Sequence, residues 1–396
     1  MSVRGAVRAR ADTAAGGFVR ALTRPRGLDN LARSRPLLIV LRIAPPAREA
    51  KLSDRIGIAV VGTGDWGANL VRNYASLPGA RLVAVCDADA QRLSRTAAQY
   101  PGVRALAGVA DVARDPDVQG VVVAASAVSH FPLAKALLEA GKDVFVEKPL
   151  ALEVGHAEEL CRLAKAKDRV LMVGHLLLYH PGVQYLKRMV GERSIGDLLY
   201  IYCQRVNLGK VRQDENALWS FAPHDLSVIL HLVDQEPADV AARGSAFLQP
   251  GVEDVVFVDL RFPGGQAAHV HVSWLDPHKL RKFTVVGSQK MVVFDDMEAS
   301  EKLKVYDKGV DRVGQVVSYG DALTVRSGDI LIPKISLQEP LRLECLHFVE
   351  CVRERKRPLS DGVGGLRVVK VLDAAQRSLA RGGEPVAIAP LPQEVA

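Results

Sequence analysis

Five short, almost wholly apolar runs lie between residues 55 and 175, and segments with helical periodicity separate them. The runs are IGIAVVG, RLVAVCD, GVVVAAS, DVFVEKP and RVLMVGH. Strands that are apolar throughout are buried on both faces, and their alternation with helices is typical of a parallel sheet. The pattern therefore predicts an α/β fold that begins with a doubly wound Rossmann domain, which we place at residues 54–175.

Past residue 195 the pattern changes to long strands in which apolar and polar residues alternate. Examples are DVVFVDLRF, QAAHVHVSWL, KFTVVGS and KMVVFDD, and two helical segments at about 340–355 and 362–381 close the chain. Such alternation indicates strands that bury one face and leave the other open. We therefore predict an α+β domain at residues 176–396, with a large, open, mostly antiparallel sheet that serves substrate binding and oligomerisation.

The net charge of +7 arises at the start of the chain. Residues 1–51 contain eleven basic and three acidic side chains, a net charge of +8, which leaves the remaining chain at −1. A folded part that is nearly neutral lacks the basic surface of a nucleic-acid binder. Residues 1–53 are interpreted as a disordered basic leader or as the result of a translation start placed too far upstream.

The five cysteines are odd in number, scattered, and form no CxxC pair. This distribution is typical of a reduced, cytosolic protein. The longest early apolar run, PLLIVL, is too short to span a bilayer, which needs roughly 20 residues. The sequence therefore predicts a cytoplasmic protein that has no membrane partner.

The motif GTGDWG places Gly62, Gly64 and Gly67 in the G-x-G-x-x-G spacing, directly after a predicted strand and at the start of a helix. The next strand ends in Asp87, twenty residues past the last glycine. This context predicts a dinucleotide site, in which the helix N-terminus stabilises the pyrophosphate and the aspartate accepts ribose hydroxyls. Asp87 would repel a 2′-phosphate, which favours NAD over NADP. The other loop residues expected to contact the cofactor are Thr63, Asp65 and Trp66.

Three predicted strand ends carry polar residues at the edge where parallel sheets bind ligands: Ser126, the pair Glu147–Lys148, and His175. Pro149 disfavours helix at the preceding residue, so the chain stays extended as far as Lys148. A desolvated lysine beside a cofactor can transfer protons or position a substrate. A lysine that simply reaches the surface is the alternative.

His224, in the stretch FAPHDLS, is the second catalytic candidate. Pro223 suits the first position of a helix, which would place His224 in the first turn. The positive end of the helix dipole would then disfavour the imidazolium, leaving a neutral ring that can accept a proton. A packed or capping histidine is the alternative.

The remaining histidines give no metal-site pattern. His269 and His271 lie on one face of a strand, but no third ligand stands at a recognisable spacing. We therefore predict no metal, and interpret that face as a polar surface or an oligomer interface. His180 and His231 are interpreted as surface residues.

The chain resembles the Gfo/Idh/MocA oxidoreductases from about Arg55 to its C-terminus. The fingerprint GTGDWG, the strand-end ASAVSH, the EKP tripeptide and a later histidine occur in that family's order. The resemblance implies that Lys148 and His224 lie beside the nicotinamide and the substrate carbon, and that a cis bond often precedes Pro149. It also implies a homodimer or homotetramer. The residues expected to line the cofactor besides the loop are Ser126, His130, Glu147, Lys148 and Pro149.

Many family members carry the motif GG-x-x-x-D-x-x-x-H before the histidine. Here the stretch is NALWSFAPHD, which lacks the glycine pair and has Ser220 in place of the aspartate. The stretches around it resemble the nucleotide-sugar branch, which includes UDP-N-acetylglucosamine 3-dehydrogenases and UDP-N-acetylglucosaminuronate dehydrogenases. The basic residues that could neutralise a diphosphate there are Arg205, Lys210, Arg212, Arg281 and Lys282. The predicted substrate contacts are Lys148, His175, Arg205, Asn207, Arg212, Trp219, His224 and Asp225.

From these residues and this resemblance we predict NAD-dependent oxidation of a sugar hydroxyl to a ketone, at the 3-hydroxyl of a UDP-N-acetylhexosamine. His224 would remove the hydroxyl proton while Lys148 holds and polarises the oxygen. One alternative is a free-sugar or inositol dehydrogenase of the same family. The others are an NAD-binding regulator that has lost turnover and an NAD-sensing partner protein that works through its sheet face.

Overall fold

The computed structural model describes residues 55–209, 211–213, 215–312 and 323–395. The predicted leader at residues 1–53 lies outside the described residues, and so does Lys210. Across the described ranges, no helix is both long enough and apolar enough to cross a membrane. The five cysteines lie within these ranges, and all are buried and free.

The first sheet has the predicted doubly wound form. Its six strands pair in parallel in the order β3-β2-β1-β4-β5-β6, so the strand order reverses between β1 and β4. The strands are β1 (Ile56–Val61), β2 (Ala80–Cys86), β3 (Arg104–Leu106), β4 (Gly120–Val123), β5 (Asp143–Glu147) and β6 (Leu171–Gly174). In β4 and β5 every residue is buried, which explains why both runs are apolar along most of their length. In open parallel sheets, ligands bind beyond the strand carboxyl ends at such a reversal.

Helices connect these strands and cover the sheet. They are α1 (Gly67–Ser76), α2 (Ala90–Gln99), α3 (Val109–Arg114), α4 (Ala127–Glu139) and α5 (Val154–Ala166). The glycine loop leads directly into α1, whose buried face includes Leu70 and Tyr74, four residues apart. The Rossmann prediction is therefore confirmed in strand order, strand direction and connection type.

The second sheet is large and mostly antiparallel, as predicted. Its nine strands follow the order β16-β13-β12-β11-β7-β10-β9-β8-β17, and the pair β7–β10 is parallel. The strands are β7 (Leu198–Val206), β8 (Asp239–Ser245), β9 (Val255–Arg261), β10 (Ala267–Ser273), β11 (Leu280–Gly287), β12 (Met291–Asp295), β13 (Leu303–Tyr306), β16 (Ile330–Leu331) and β17 (Val386–Ala387). A separate hairpin pairs β14 (Gly309–Arg312) with β15 (Leu323–Arg326).

One face of this sheet packs against helices α6 (Pro181–Gly191) and α7 (Ala217–Val233). Two closing helices, α8 (Pro340–Glu354) and α9 (Gly362–Ala380), confirm the predicted pair. They return to the Rossmann sheet, where α8 packs beside α1 and β1, and α9 beside α5 and β6. Phe348 of α8 meets Phe145 of β5 edge to face, with ring centroids 5.7 Å apart. The hydrophobic core therefore runs without a break from one sheet to the other.

The opposite face of the second sheet carries exposed aromatic side chains. Tyr200, Tyr202 and Phe257 are all more than two-fifths exposed. His269 is the strand neighbour of Tyr202, and His271 stacks on Phe257 with ring centroids 4.5 Å apart. We call this surface, defined by these five residues, the outer sheet face.

Candidate active site

The loop after β1 holds the three glycines of the fingerprint. Gly62 has a φ of +94°, and a Cβ there would lie 2.6 Å from the backbone of Ala124. A Cβ at Gly67 would lie 1.9 Å from the Gly62 carbonyl oxygen. Gly64 differs, because among the described residues a Cβ there would meet just the Arg92 guanidinium, at 3.6 Å. Packing does not require a glycine at this second position of the motif, and the open backbone there fits the close approach of a pyrophosphate.

Asp87 follows β2, and its carboxylate is bonded to the glycine loop. One oxygen accepts hydrogen bonds from the Thr63 N–H at 2.7 Å and from its hydroxyl at 2.9 Å. The other oxygen accepts from the Asp89 N–H at 2.8 Å. Burial would raise the pKa of Asp87, but these hydrogen bonds outweigh it and lower the pKa. The fixed anion retains a free lone pair, so it can accept a ribose hydroxyl and it repels a 2′-phosphate.

Trp66 links the glycine loop to the EKP tripeptide. Its indole N–H donates to a Glu147 carboxylate oxygen at 2.6 Å, while the ring itself is 42% exposed. Asp65 and Ser126 are both exposed. Asp65 lies in the loop after β1, and Ser126 follows β4 as the N-cap residue of α4. When bound at these residues, NAD would supply a hydride acceptor, and the protein groups around it would fix its position.

Lys148 directly follows β5, and the Lys148–Pro149 peptide is cis, as the family resemblance implies. The Lys148 ammonium donates to the Ser220 carbonyl oxygen of α7 at 3.2 Å. Burial is the main cause that lowers the pKa of Lys148, and the carboxylates of Glu215 and Glu147 oppose it. The lysine is therefore aimed across the gap between the two sheets, not at bulk solvent.

His130 lies behind the tripeptide. Its Nδ1 is 2.7 Å from the Pro149 carbonyl oxygen and its Nε2 is 3.1 Å from the Ala125 carbonyl oxygen. Burial lowers the pKa of His130, and a neutral ring can donate to just one of these two carbonyls. Because the side chain is 1% exposed, the structure places His130 as a support of the peptide that follows Lys148.

The helix that carries His224 begins six residues earlier than its proline suggested. Helix α7 starts at Ala217, and Asn216 is its N-cap, with the side-chain oxygen accepting from the Trp219 N–H at 3.2 Å. Pro223 lies inside the helix, so the prediction that His224 sits in the first turn is wrong. Asn216 competes successfully with the proline because an amide side chain satisfies a free N–H of the first turn. The helix dipole therefore does not account for a neutral His224.

Burial and neighbouring cations keep His224 neutral instead. The pKa of His224 lies well below its ordinary value because of burial first, then the charges of Lys148 and Arg205. His175, at the end of β6, is fully enclosed, and burial together with Lys148 lowers its pKa to about 3. Neither ring nitrogen of His175 has a hydrogen-bond partner among the described residues, nor does Nδ1 of His224. The site thus combines a buried lysine with two histidines, and the pKa of each of the three side chains is lowered.

A cavity of about 530 Å³ opens between the glycine loop and the inner face of the second sheet. His224 and Trp66 lie on its wall, so the predicted catalytic histidine and the predicted cofactor loop share one space. The other lining residues are Leu176, Leu177, His180, Arg205, Arg281, Asp296, Lys302, Leu337, Gln338, Glu339 and Pro340. A volume of this order is typical of a site for a small-molecule ligand.

Arg205 and Asp225 form a buried, two-pronged ion pair. The Arg205 Nε and one terminal nitrogen donate to the two Asp225 oxygens at 2.9 and 3.0 Å. The side chains are 7% and 1% exposed, so Asp225 faces its arginine and the arginine faces the cavity. Burial would lower the pKa of Arg205, but Asp225 outweighs it and raises the pKa. Asp225 therefore acts on a ligand in the cavity indirectly, by holding Arg205.

Other predicted substrate residues are not among those that line the cavity. Trp219 donates its indole N–H to the Gln376 side chain of α9 at 3.2 Å. Arg212 is exposed and paired with Glu215 at 2.9 Å. Asn207 follows β7 and donates its backbone N–H to a carbonyl of β10 at 3.1 Å. Their proposed contacts with substrate remain predictions.

Sequence reasoning missed one polar cluster on the cavity wall, centred on Asp296. His180, interpreted as a surface residue, is 6% exposed and lines the cavity with its Nε2 3.5 Å from Asp296. Its Nδ1 accepts from the Gly182 N–H at 3.0 Å and caps α6, which explains why it is enclosed. Lys302 lies 3.5 Å from the same carboxylate. The sequence signal was the His-Pro pair, a capping residue followed by proline at the helix start.

His231 also differs from its interpretation as a surface residue. Burial, followed by the Lys187 charge, lowers its pKa to about 4, and its Nε2 is buried without a partner among the described residues. On the outer sheet face, His269 pairs with Asp259 at 2.7 Å. Within the ranges that the structure describes, no group of three or more His, Cys, Asp or Glu side chains is arranged to hold a metal ion.

Comparison with known proteins gives named relatives across most of the chain. UDP-N-acetylglucosamine 3-dehydrogenase of Acidithiobacillus ferrooxidans is 25% identical over 316 residues, which cover 78% of this chain and 93% of that protein. scyllo-Inositol 2-dehydrogenase (NAD(+)) of Bacillus subtilis is 24% identical over 350 residues, covering 85% and 97%. Two relatives that are named as dehydrogenases of different substrates thus have nearly the same sequence identity to this chain.

Solved structures share the fold. The enzyme GnnA, the UDP-N-acetylglucosamine 3-dehydrogenase from A. ferrooxidans, superimposes with a TM-score of 0.71 at 23% identity, covering 83% of this chain and 98% of that one. GenD2 from gentamicin A biosynthesis, solved in complex with NAD, gives a TM-score of 0.72 at 23% identity, covering 88% and 99%. At these identities the likeness concerns the fold.

Family models settle the affiliation. Residues 56–175 match the oxidoreductase family model with an NAD-binding Rossmann fold, and residues 183–293 match the GFO/IDH/MocA C-terminal domain. The two matches follow each other along the chain and together span more than half of it. The chain therefore belongs to the Gfo/Idh/MocA family of oxidoreductases, and its first domain is the NAD-binding Rossmann domain of that family.

Proposed function

We propose that this oxidoreductase oxidises a sugar hydroxyl with NAD, and that its substrate is a UDP-N-acetylhexosamine oxidised at the 3-hydroxyl. The observation that carries the proposal is the cavity in which His224 faces the cofactor loop, with Lys148 held toward the same helix. The substrate assignment rests on the relative that is a UDP-N-acetylglucosamine 3-dehydrogenase and spans most of both chains.

In the proposed reaction His224 accepts the proton of the sugar hydroxyl. Its neutral state follows from burial and the adjacent cations, which lower its pKa. A general base within reach of a proton needs that state before the reaction begins. Lys148 donates a hydrogen bond to the same oxygen, and its positive charge stabilises the negative charge that develops as the proton leaves.

The division of roles follows from how the two groups affect each other. The charge of Lys148 is among the causes that lower the pKa of both His224 and His175. The proposal therefore adopts the arrangement of a charged lysine beside neutral histidines. The opposite arrangement has a neutral lysine beside protonated histidines. It would bury a positive charge on imidazole rings that have ring nitrogens without a hydrogen-bond partner among the described residues.

The test is NADH formation by the purified chain with NAD and UDP-N-acetylglucosamine, compared with free N-acetylglucosamine and with scyllo-inositol. We expect absorbance at the NADH band to rise with the nucleotide sugar and to stay low with the two uncharged polyols. A rise with inositol alone would make the chain a polyol dehydrogenase, like its B. subtilis relative. Tight NAD binding without turnover on any of them would indicate an NAD-binding regulator.

We also propose that the chain forms a homodimer or homotetramer through the outer sheet face. Exposed aromatic side chains grouped on one surface mark an interaction site in soluble proteins. The double change Tyr202→Glu, Phe257→Glu places two charges in that surface and is expected to yield smaller particles in sedimentation. Phe247→Glu, at an exposed aromatic in the loop after β8, is the matched control and should sediment like the wild type. A monomeric wild type would contradict the proposal.

A further inference from the structure

We infer that the inner face of the second sheet holds an oxyanion subsite, formed by the guanidinium groups of Arg205 and Arg281 with Lys302 beside them. The ligand is a negatively charged group carried by the substrate, either a sugar carboxylate or a diphosphate. The inference rests on the proposed function, since it assigns a charge to the substrate of the same cavity. It goes further by naming the side chains that would recognise that charge.

The first observation is a pair of like charges. Arg205 of β7 and Arg281 of β11 stand directly opposite each other on neighbouring antiparallel strands. Like charges in this position destabilise a sheet, because side chains directly opposite lie within contact distance. The repulsion is visible in Arg281, whose pKa is lowered by burial first and by the Arg205 charge next. An anion between the two guanidinium groups would relieve it.

A neighbouring pair shows the usual solution. Lys282, the next residue of β11, lies directly opposite Asp295 of β12, and its ammonium is 3.2 Å from that carboxylate. Successive strand residues point to opposite faces, so Lys282 lies on the other face of the sheet from Arg281. On the face away from the cavity, Lys282 is thus neutralised by a carboxylate. On the face toward the cavity, Arg205 and Arg281 lie side by side.

The carboxylates near these arginines do not balance them. Asp225 is held by both prongs of Arg205. Asp296 is shared among His180 at 3.5 Å, Lys302 at 3.5 Å and Arg281 at 3.7 Å. Glu339 also lines the cavity, but it is paired with Arg72. Among the described residues, this wall of the cavity therefore has three cationic side chains and two carboxylates to balance them. The cations are Arg205, Arg281 and Lys302, and the carboxylates are Asp225 and Asp296.

The subsite is accessible and lies in the right place. Arg205, Arg281 and Lys302 all line the cavity that contains His224, and the Arg281 side chain is 40% exposed. The weak 3.7 Å contact with Asp296 leaves most of the Arg281 donors available. A planar guanidinium matches the two oxygens of a carboxylate or phosphate, which a neutral sugar does not offer.

The experiment measures binding by calorimetry to the enzyme saturated with NADH. The probes are UDP, which carries the diphosphate, D-glucuronate, which carries a sugar carboxylate, and N-acetylglucosamine, which is neutral. We expect one of the two anions to bind, and its affinity to fall about tenfold or more in Arg281→Met, the loss of a charge-assisted hydrogen-bond pair. The anion whose affinity falls shows whether the charged group of the substrate is a diphosphate or a sugar carboxylate. Lys282→Met is the matched control and should bind that anion like the wild type.

Thermal unfolding without ligand keeps the test independent of folding defects. Because Arg281→Met removes a repelled charge, its melting temperature is expected to equal or exceed that of the wild type. Arg281→Lys, which keeps the charge but loses the forked geometry, should recover part of the affinity. Equal anion affinity in the wild type and in Arg281→Met, or no anion binding in the wild type, overturns the subsite. Anion binding that depends on Arg281 without turnover of UDP-sugars would refute the proposed substrate and leave the subsite intact.

Discussion

Replacement of Lys148 by methionine is expected to lower kcat by about 10²–10⁴-fold, the range of a positioned proton-transfer or charge-stabilising group. The ammonium is fixed by the Ser220 carbonyl at 3.2 Å and faces the helix that carries His224. Methionine fills a similar volume but offers neither charge nor donor. Steady-state NADH formation, with whichever substrate the assay of the proposed function identifies, measures the change.

Two controls separate chemistry from folding in this prediction. Lys135→Met removes an exposed lysine paired with Glu159 at 2.7 Å, and should leave kcat near the wild-type value. Lys148→Arg keeps the charge in a different shape and should retain more activity than Lys148→Met. A loss of less than about tenfold in a folded Lys148→Met protein would remove Lys148 from the reaction.

The pH profile of kcat/KM decides which group is the base. If His224 accepts the proton, activity falls on the acid side with a midpoint below 6.5, the ordinary histidine value, since the pKa of His224 is lowered. Removing the Lys148 charge raises the pKa of His224, so the acid limb of Lys148→Met should move to higher pH. If neutral Lys148 were the base, the acid limb would report the lysine and disappear in that variant.

Local signals in the sequence sufficed for the first domain. The strand–glycine–helix order around Gly64 and the acid at Asp87 act over twenty-odd residues, and parallel strands of that kind admit few arrangements. The EKP position was found for the same reason: Lys148 directly follows a buried strand whose end must meet the ligand edge. Each of these predictions depends on neighbours in sequence.

The part of the cavity wall that the second sheet forms could not be predicted from neighbours in sequence. Arg205 and Arg281 are 76 positions apart, and their opposition depends on the register of two strands. His180 became a cavity residue because it caps α6 beneath Asp296, a contact over more than a hundred positions. The start of α7 was misplaced because two start signals, Asn216 and Pro223, occur seven residues apart, and the capping amide prevailed.

The second large effect concerns stability. Asp225→Asn is expected to lower the free energy of unfolding by about 3–5 kcal/mol, the cost of breaking a buried ion pair from one side. The change keeps the shape of the side chain but leaves the Arg205 guanidinium buried, charged and beside Arg281. Urea unfolding, with an unchanged slope and a lower midpoint, measures the loss.

The double variant Arg205→Met, Asp225→Leu tests the cause of that loss. It removes both charges, and replacing a buried pair with apolar residues of similar volume is often neutral or stabilising. It also frees Arg281 from its like-charged neighbour, so the double variant should be more stable than Asp225→Asn by most of the predicted difference. If both variants lose the same stability, shape and not charge explains the effect. Because the double variant keeps His224 and Lys148, a fold that is retained while anion binding is lost would show that the ion pair exists to present Arg205 to the substrate.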